Sequence, residues 1–125
     1  MRSRKRKRQR LNTVAVIGNS LPRRCGIATF TTDLVNALSR AASQAHCWTV
    51  AMTDTIEGYR YPDHVLFEIS QNRLSDYRQT AEFLNMNHID VVCLQHEYGI
   101  FGGQDGNYIL NLLVDLRMPI VCTLH

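Results

Sequence analysis

The feature that most constrains the fold is a strand, loop and helix pattern within residues 13–41. Residues 13–17 form a short run rich in valine and isoleucine between polar neighbours, which predicts a buried strand. After a loop, apolar side chains recur at the spacing of one helix face, which predicts an amphipathic helix packed on that strand. The side chains expected on that face are Phe30, Leu34, Ala37, Leu38 and Ala41.

The loop between the predicted strand and helix is a candidate site for an anionic group. Pro22 and Gly26 interrupt it, and Gly26 would let a ligand approach the backbone closely. The first amide hydrogens of a helix lack internal acceptors and lie at the positive end of the helix dipole. An anion in this loop could therefore be bound by backbone donors.

The rest of the chain continues as alternating strands and helices. Apolar runs predict strands at 46–52, 65–69, 89–94 and 120–124, and a loop at 95–106. A second helix is expected to start with Ser75 as its N-cap and to end near 85–87. A third is traced by Ile109, Leu112, Leu113 and Leu116. The order β, α, β, β, α, β, α, β predicts an α/β fold with a mostly parallel sheet covered on both faces.

Charge is unevenly distributed along the 125 residues. Seven of the fourteen Lys and Arg residues lie in the first ten positions, whereas residues 11–125 carry seven basic and eleven acidic side chains. We therefore expect a disordered basic tail at 1–11 and one folded domain at 12–125. The tail could be merely solvated, or it could contact an anionic membrane surface or nucleic acid.

Several functional classes are disfavoured by the sequence. The N-terminal charged run has no apolar segment behind it, so we expect a cytoplasmic protein without a signal peptide. Neither GxGxxG nor GxxxxGK[ST] occurs, which argues against NAD and ATP.

Metal-binding motifs are also absent from the sequence. His96 and Glu97 would begin an HExxH zinc motif, but that motif needs a histidine at position 100, which is Ile100. Cys25, Cys47, Cys93 and Cys122 contain no CxxC pair, so we expect no metal site. Cys47, Cys93 and Cys122 are expected to pack as small apolar side chains. Cys25 lies where a helix dipole could activate a thiol, but no histidine lies nearby in sequence, and a neutral loop residue is the more common outcome.

Three loops are expected to meet at the carboxyl edge of the sheet if the first and fourth strands are neighbours. The first contains Arg23 and Arg24, which could bind phosphate, although exposed loop arginines are commonly only solvated. The others bring His96 and His125, each either a structural histidine or a ligand contact. Glycines beside Phe101 suggest positive φ angles in a loop that is either a structural turn or a ligand loop: Gly99, Gly102 and Gly103.

Three motifs, in this order and at these separations, resemble the N-terminal domain of retaining glycosyltransferases of family 4. They are LPRRCGIATFTTDLVNAL after the first strand, LQHEYGIFGGQDG after the fourth, and MPIVCTLH at the fifth. The resemblance spans about 12–125 and has no counterpart of the tail. It implies a GT-B enzyme, in which this chain is a Rossmann-like, doubly wound domain facing a second domain across a cleft.

The resemblance also implies roles for individual residues. Cys25, Gly26 and Ile27 would form the loop near the donor diphosphate, and His125 would lie close to the donor sugar. The loop after the fourth strand would line the acceptor side, with His96, Glu97, Gly102 and Gly103. The donor would be a nucleotide-diphosphate sugar, with no metal or other cofactor, and the acceptor a glycan, a lipid-linked sugar or a small polar molecule.

The sequence departs from that family in ways that matter for activity. The paired glutamates spaced E-x7-E and the basic residues that hold the diphosphate belong to the family's second domain, and no two glutamates here have that spacing. A common glycine pair in the first loop is replaced by Cys25 and Gly26. We therefore expect a truncated enzyme that is inactive alone. The alternative is a nucleotide-binding or flavodoxin-like module without transfer chemistry. Nucleic acid is not an expected partner.

Overall fold

The structure is a computed structural model, and it describes residues 11–42 and 44–125. Residues 1–10 of the predicted tail therefore lie outside the described residues. The regular elements are, in chain order, β1 (Thr13–Gly18), α1 (Gly26–Ala41), β2 (His46–Thr53), β3 (Val65–Ser70), α2 (Leu74–Met86), β4 (Val91–His96), 3₁₀ turns at Tyr98–Ile100 and Gln104–Gly106, α3 (Tyr108–Leu113) and β5 (Ile120–Leu124).

The strands form one five-stranded sheet in the order β3-β2-β1-β4-β5, and every neighbouring pair is parallel. This confirms the predicted α/β class and is consistent with a Rossmann-like fold. Val14 pairs with Val91, so β1 and β4 are neighbours as the site prediction requires. The chain moves outward from β1 through β2 to β3, and then crosses to β4 on the other side. The strand order therefore reverses between β1 and β4, where ligands commonly bind in such sheets.

Alternate residues of β1 point to opposite faces of the sheet and enter two separate clusters. Ala15 and Ile17 belong to the larger cluster, which α2 and α3 cover through side chains such as Tyr77, Leu84 and Leu112. Val14 and Val16 belong to the smaller cluster under α1, with Val35. Helices on both faces explain why the central strands are apolar on both sides.

Three local predictions are corrected by the structure. On α1 the buried side chains are Ala28, Thr31 and Val35, whereas Phe30, Ala37 and Ala41 are exposed. Ser75 is not an N-cap, since α2 begins at Leu74 after Arg73, and no side chain caps it. β4 extends from Val91 through His96, so His96 ends a strand rather than lying in the following loop.

The last strand is more exposed than its apolar sequence suggests. All five residues of β5 are exposed, and they include Cys122, so its expected burial as a small apolar side chain is wrong. Cys47 and Cys93 are half-buried beside the smaller cluster, and burial raises the pKa of the Cys93 thiol. No helix in the described ranges has both the length and the apolar character needed to cross a membrane.

Candidate functional site

A cavity of about 470 Å³ opens at the carboxyl edge of the sheet, beside the point where strand order reverses. Residues from the loops after β1, β4 and β5 line it together. Five of the predicted site residues are among them: Cys25, Gly26, Ile27, Glu97 and His125. The remaining lining residues are Asn19, Arg23, Phe30, Gly99 and Ile100. The convergence expected from the topology is therefore present for these loops.

The amino end of α1 forms one wall of this cavity. Cys25 is the N-cap in an extended conformation, and its Sγ accepts hydrogen bonds from the Ala28 amide at 3.3 Å and from Asn19 Nδ2 at 3.2 Å. The amide hydrogens of Gly26 and Ile27 have no partner among the contacts described for this part of the chain. A Cβ at Gly26 would have no heavy atom within 4 Å. Backbone donors and open space thus coincide at the helix start.

His125 is held in place by contacts to β4 and α1. Its backbone amide donates to the His96 carbonyl at 2.9 Å, and its Nε2 lies 3.0 Å from Oε1 of buried Gln95. An amide oxygen only accepts, so this contact requires a hydrogen on Nε2, and in the neutral ring of that tautomer Nδ1 is the acceptor. The half-exposed Phe30 ring and the imidazole pack edge to face, with centroids 4.9 Å apart.

Arg23 is the lining residue whose position differs most from expectation. Its side chain is only 13% exposed, although loop arginines are ordinarily solvated. Nη1 donates to Asn19 Oδ1 at 3.0 Å and to the Met52 carbonyl at 3.1 Å. Nη2 lies 3.5 Å from a carboxylate oxygen of Asp54. The sequence placed Arg23 in the right loop, but the acceptor on β2 lies 29 residues away and has no local signal.

A short polar chain links Arg23 to the connection between β2 and β3. The Tyr59 hydroxyl donates to Asp54 at 2.6 Å, and this hydrogen bond is the main cause of the lowered pKa of Asp54. Burial opposes that shift, and the Arg23 charge adds a further lowering. The Asp54 carboxylate is therefore shared between a hydroxyl, a guanidinium and solvent.

His96 does not line the same cavity as Gly26 and His125. It lies beside a second cavity of about 370 Å³ together with Tyr98, Asp105 and Asn107. Its ring packs against those of Tyr98 and Phe101, at centroid distances of 5.0 and 5.5 Å. The structure thus separates His96 from the neighbouring Glu97, which lines the first cavity.

Gly102 and Gly103 line neither cavity, and both have a packing reason to be glycine. A Cβ at buried Gly102 would overlap the backbone oxygen of Gln71, and its amide donates to the Tyr77 hydroxyl at 3.0 Å. Gly103 has φ +82°, as expected for a turn glycine, whereas Gly99 and Gly102 do not have positive φ. Their predicted contact with substrate therefore receives no support from their positions.

Comparison with known proteins does not assign the chain to a class. No family model matches the sequence, and neither the curated proteins nor the solved structures give a significant match. Within the described residues, no group of three or more His, Cys, Asp or Glu side chains is placed to hold a metal ion.

Proposed function

We propose that this chain is the acceptor-side domain of a retaining glycosyltransferase of the GT-B type. It would take part in transferring a hexosyl group, such as mannosyl, from a nucleotide-diphosphate sugar to a glycan, lipid-linked or small polar acceptor. The observation that carries the proposal is the meeting of the Gly26 loop, Glu97 and His125 in one cavity at the amino end of α1. The reaction would take place in the cytoplasm, with the basic tail as a peripheral contact to anionic membrane.

The chemistry of the lining suits a departing diphosphate. As the bond between sugar and diphosphate breaks, negative charge grows on the phosphate oxygen, and fixed donors stabilise it without having to reorient. The amide hydrogens of Gly26 and Ile27 are such donors, since the helix geometry fixes their direction. This arrangement favours anion stabilisation over acid catalysis as the role of the loop.

Two side chains can bind sugar hydroxyl groups in the same cavity. His125 is oriented by Gln95, and in the neutral tautomer with its hydrogen on Nε2 the Nδ1 atom would accept a hydrogen bond from a donor-sugar hydroxyl. Glu97 supplies a carboxylate that would accept from a hydroxyl of the acceptor. His96 would contribute to the acceptor side through the neighbouring cavity, next to the exposed ring of Tyr98.

A titration of the ¹⁵N-labelled chain with UDP-glucose and GDP-mannose tests this proposal. We expect the amide signals of Gly26 and Ile27 to shift with at least one of these donors. The Gly26→Ala variant should fold normally, because its Cβ would meet no heavy atom of the protein within 4 Å. It should bind about tenfold more weakly, because the Cβ would enter the space from which the diphosphate approaches the amides and would lengthen a charge-assisted hydrogen bond. Asn36→Ala, at an exposed position of the same helix, is the matched control.

The outcome separates the proposal from its alternative. Shifts with FMN and none with either sugar nucleotide would overturn the proposal and support a flavodoxin-like module. Equal binding by the wild type and Gly26→Ala would show that the diphosphate does not bind at the Gly26 loop. The proposal also expects no sugar transfer by this chain alone, because most donor contacts are assigned to a second domain.

A further inference from the structure

Arg23 keeps an available positive charge although its side chain is largely buried. Two of the three groups that hold its guanidinium are neutral carbonyl oxygens, one on Asn19 and one on Met52. Neutral acceptors fix the plane of a guanidinium without cancelling its charge. Because both bonds use Nη1, they leave the Nε hydrogen and the Nη2 edge for other partners.

Asp54 compensates this charge only partly. Its side chain is 39% exposed and lies 3.5 Å from Arg23, which is a long ion pair open to solvent. Exposed pairs of this kind contribute little, because water screens them. The same carboxylate also accepts the Tyr59 hydroxyl at 2.6 Å, which is a much shorter contact.

The cavity that Arg23 lines contains few competing ionisable groups. Glu97 and His125 come from the loops after β4 and β5, and Cys25 caps α1. Asp54 is not a lining residue, although it contacts the guanidinium. Arg23 and the amides of Gly26 and Ile27, which lack a partner among the described contacts, therefore line one cavity, and they come from the segment that joins β1 to α1.

We propose that Arg23 directly binds a phosphate group in this cavity, in competition with Asp54. A guanidinium with fixed orientation can donate two roughly parallel hydrogen bonds to phosphate oxygens. The inference rests on the proposed function, because it concerns the diphosphate of the same donor. It extends that function, since the family resemblance assigns the basic diphosphate contacts to the second domain.

Inorganic pyrophosphate titrated into the full ¹⁵N-labelled chain provides the test. The readout is the amide shift of Gly26 and Ile27, so anion binding by the basic tail does not contribute. Arg23→Gln should weaken binding about tenfold or more, as expected for the loss of charge-assisted hydrogen bonds. Asp54→Asn should strengthen it about two- to fivefold, because a competing carboxylate is removed. Asp33→Asn, an exposed acid on α1, is the control for the change in net charge.

Each outcome decides the matter. Tighter pyrophosphate binding by Asp54→Asn, with the affinity of Asp33→Asn unchanged, supports direct contact with Arg23. If Arg23 only supported the structure of the cavity, loss of its carboxylate partner would weaken pyrophosphate binding instead. Unchanged binding by Arg23→Gln, with normal Gly26 shifts, overturns the inference and leaves the proposed function intact. Pyrophosphate binding that depends on Arg23, without any response to sugar nucleotides, supports the anion site and overturns the proposed function. Absence of pyrophosphate binding to the wild type overturns the inference, whereas the proposed function is decided separately by the titration with sugar nucleotides.

Discussion

The replacement Tyr77→Phe should destabilise the fold strongly although it removes one oxygen atom. Tyr77 is fully buried, and its hydroxyl donates to the Gln71 carbonyl at 2.8 Å while accepting from the Gly102 amide at 3.0 Å. Burial raises the pKa of this hydroxyl, so it remains protonated and able to donate. Through these two hydrogen bonds the Tyr77 hydroxyl links the loop after β4 to the connection between β3 and α2.

The expected magnitude follows from the two backbone groups that lose a partner. The Gly102 amide is buried, and an unsatisfied buried donor costs about 1–3 kcal/mol. The Gln71 carbonyl is part-buried and should add about 1 kcal/mol. Phenylalanine fills the same volume apart from the oxygen, so no cavity cost is expected. The sum is a loss of about 2–4 kcal/mol, a large part of the usual 5–15 kcal/mol of domain stability.

Urea unfolding of the wild type and the variant measures this loss. We expect a lower midpoint with an unchanged slope, which indicates lower stability without a change in the surface exposed on unfolding. Tyr98→Phe is the matched control, because that ring is 71% exposed and its variant should stay within about 0.5 kcal/mol. A loss below about 0.5 kcal/mol for Tyr77→Phe would refute the reasoning. Hydrogen exchange at the Gly102 amide should also accelerate.

Two further predictions concern β1 and the pH dependence of stability. Asp90→Ala should cost about 1–3 kcal/mol in urea unfolding, since the carboxylate accepts from the amides of Asn12 and Thr13 at 2.7 and 2.9 Å; an unchanged midpoint would contradict this. Burial lowers the pKa of His64 below its ordinary 6.5. The unfolded state therefore binds more protons as pH falls from about 7 through 6.5, and stability should fall with it. His64→Gln should flatten that decline measured by thermal unfolding, and an equally steep decline in the variant would contradict this prediction.

The sheet was the most predictable part of the molecule, because its signal is local. Runs such as 14–17 and 50–52 are apolar without interruption, and that is what a strand covered on both faces requires. The sequence did not itself predict that β1 and β4 are neighbours; the site prediction assumed it. Their pairing depends on contacts 77 residues apart, such as the Asp90 clamp on Thr13.

The face of α1 was mispredicted because apolarity alone was used to find it. Thr31 is buried and Phe30 is exposed, which reverses what their polarity suggests. The Thr31 hydroxyl lies where α1 passes close to Gly18, since a Cβ on that glycine would come within 2.9 Å of it. Position 31 of α1 therefore needs a small side chain, and the space available in the packing, rather than polarity, determines which residue is buried.

The location of the candidate cavity was more predictable than the residues that line it. Sequence spacing placed Gly26, Glu97 and His125 at one edge, because parallel strands deliver their following loops to the same side. The spacing could not predict that His96 and Glu97 lie at different cavities. Successive side chains point to opposite faces only within a strand, and β4 ends at His96, two residues later than the sequence predicted. The burial of Arg23 depends on the distant Met52 carbonyl, which no local pattern reports.

The long separation between β1 and β4 also determines when the cavity can form during synthesis. The Gly26 loop leaves the ribosome well before Glu97, and translation at about 5–20 residues per second makes that delay several seconds. During this interval the amino end of α1 has no opposing wall from β4. A nascent chain stalled before β4 should therefore present the amino end of α1 without the wall that Glu97, Gly99 and Ile100 form, even if its first strand and helix are already packed together.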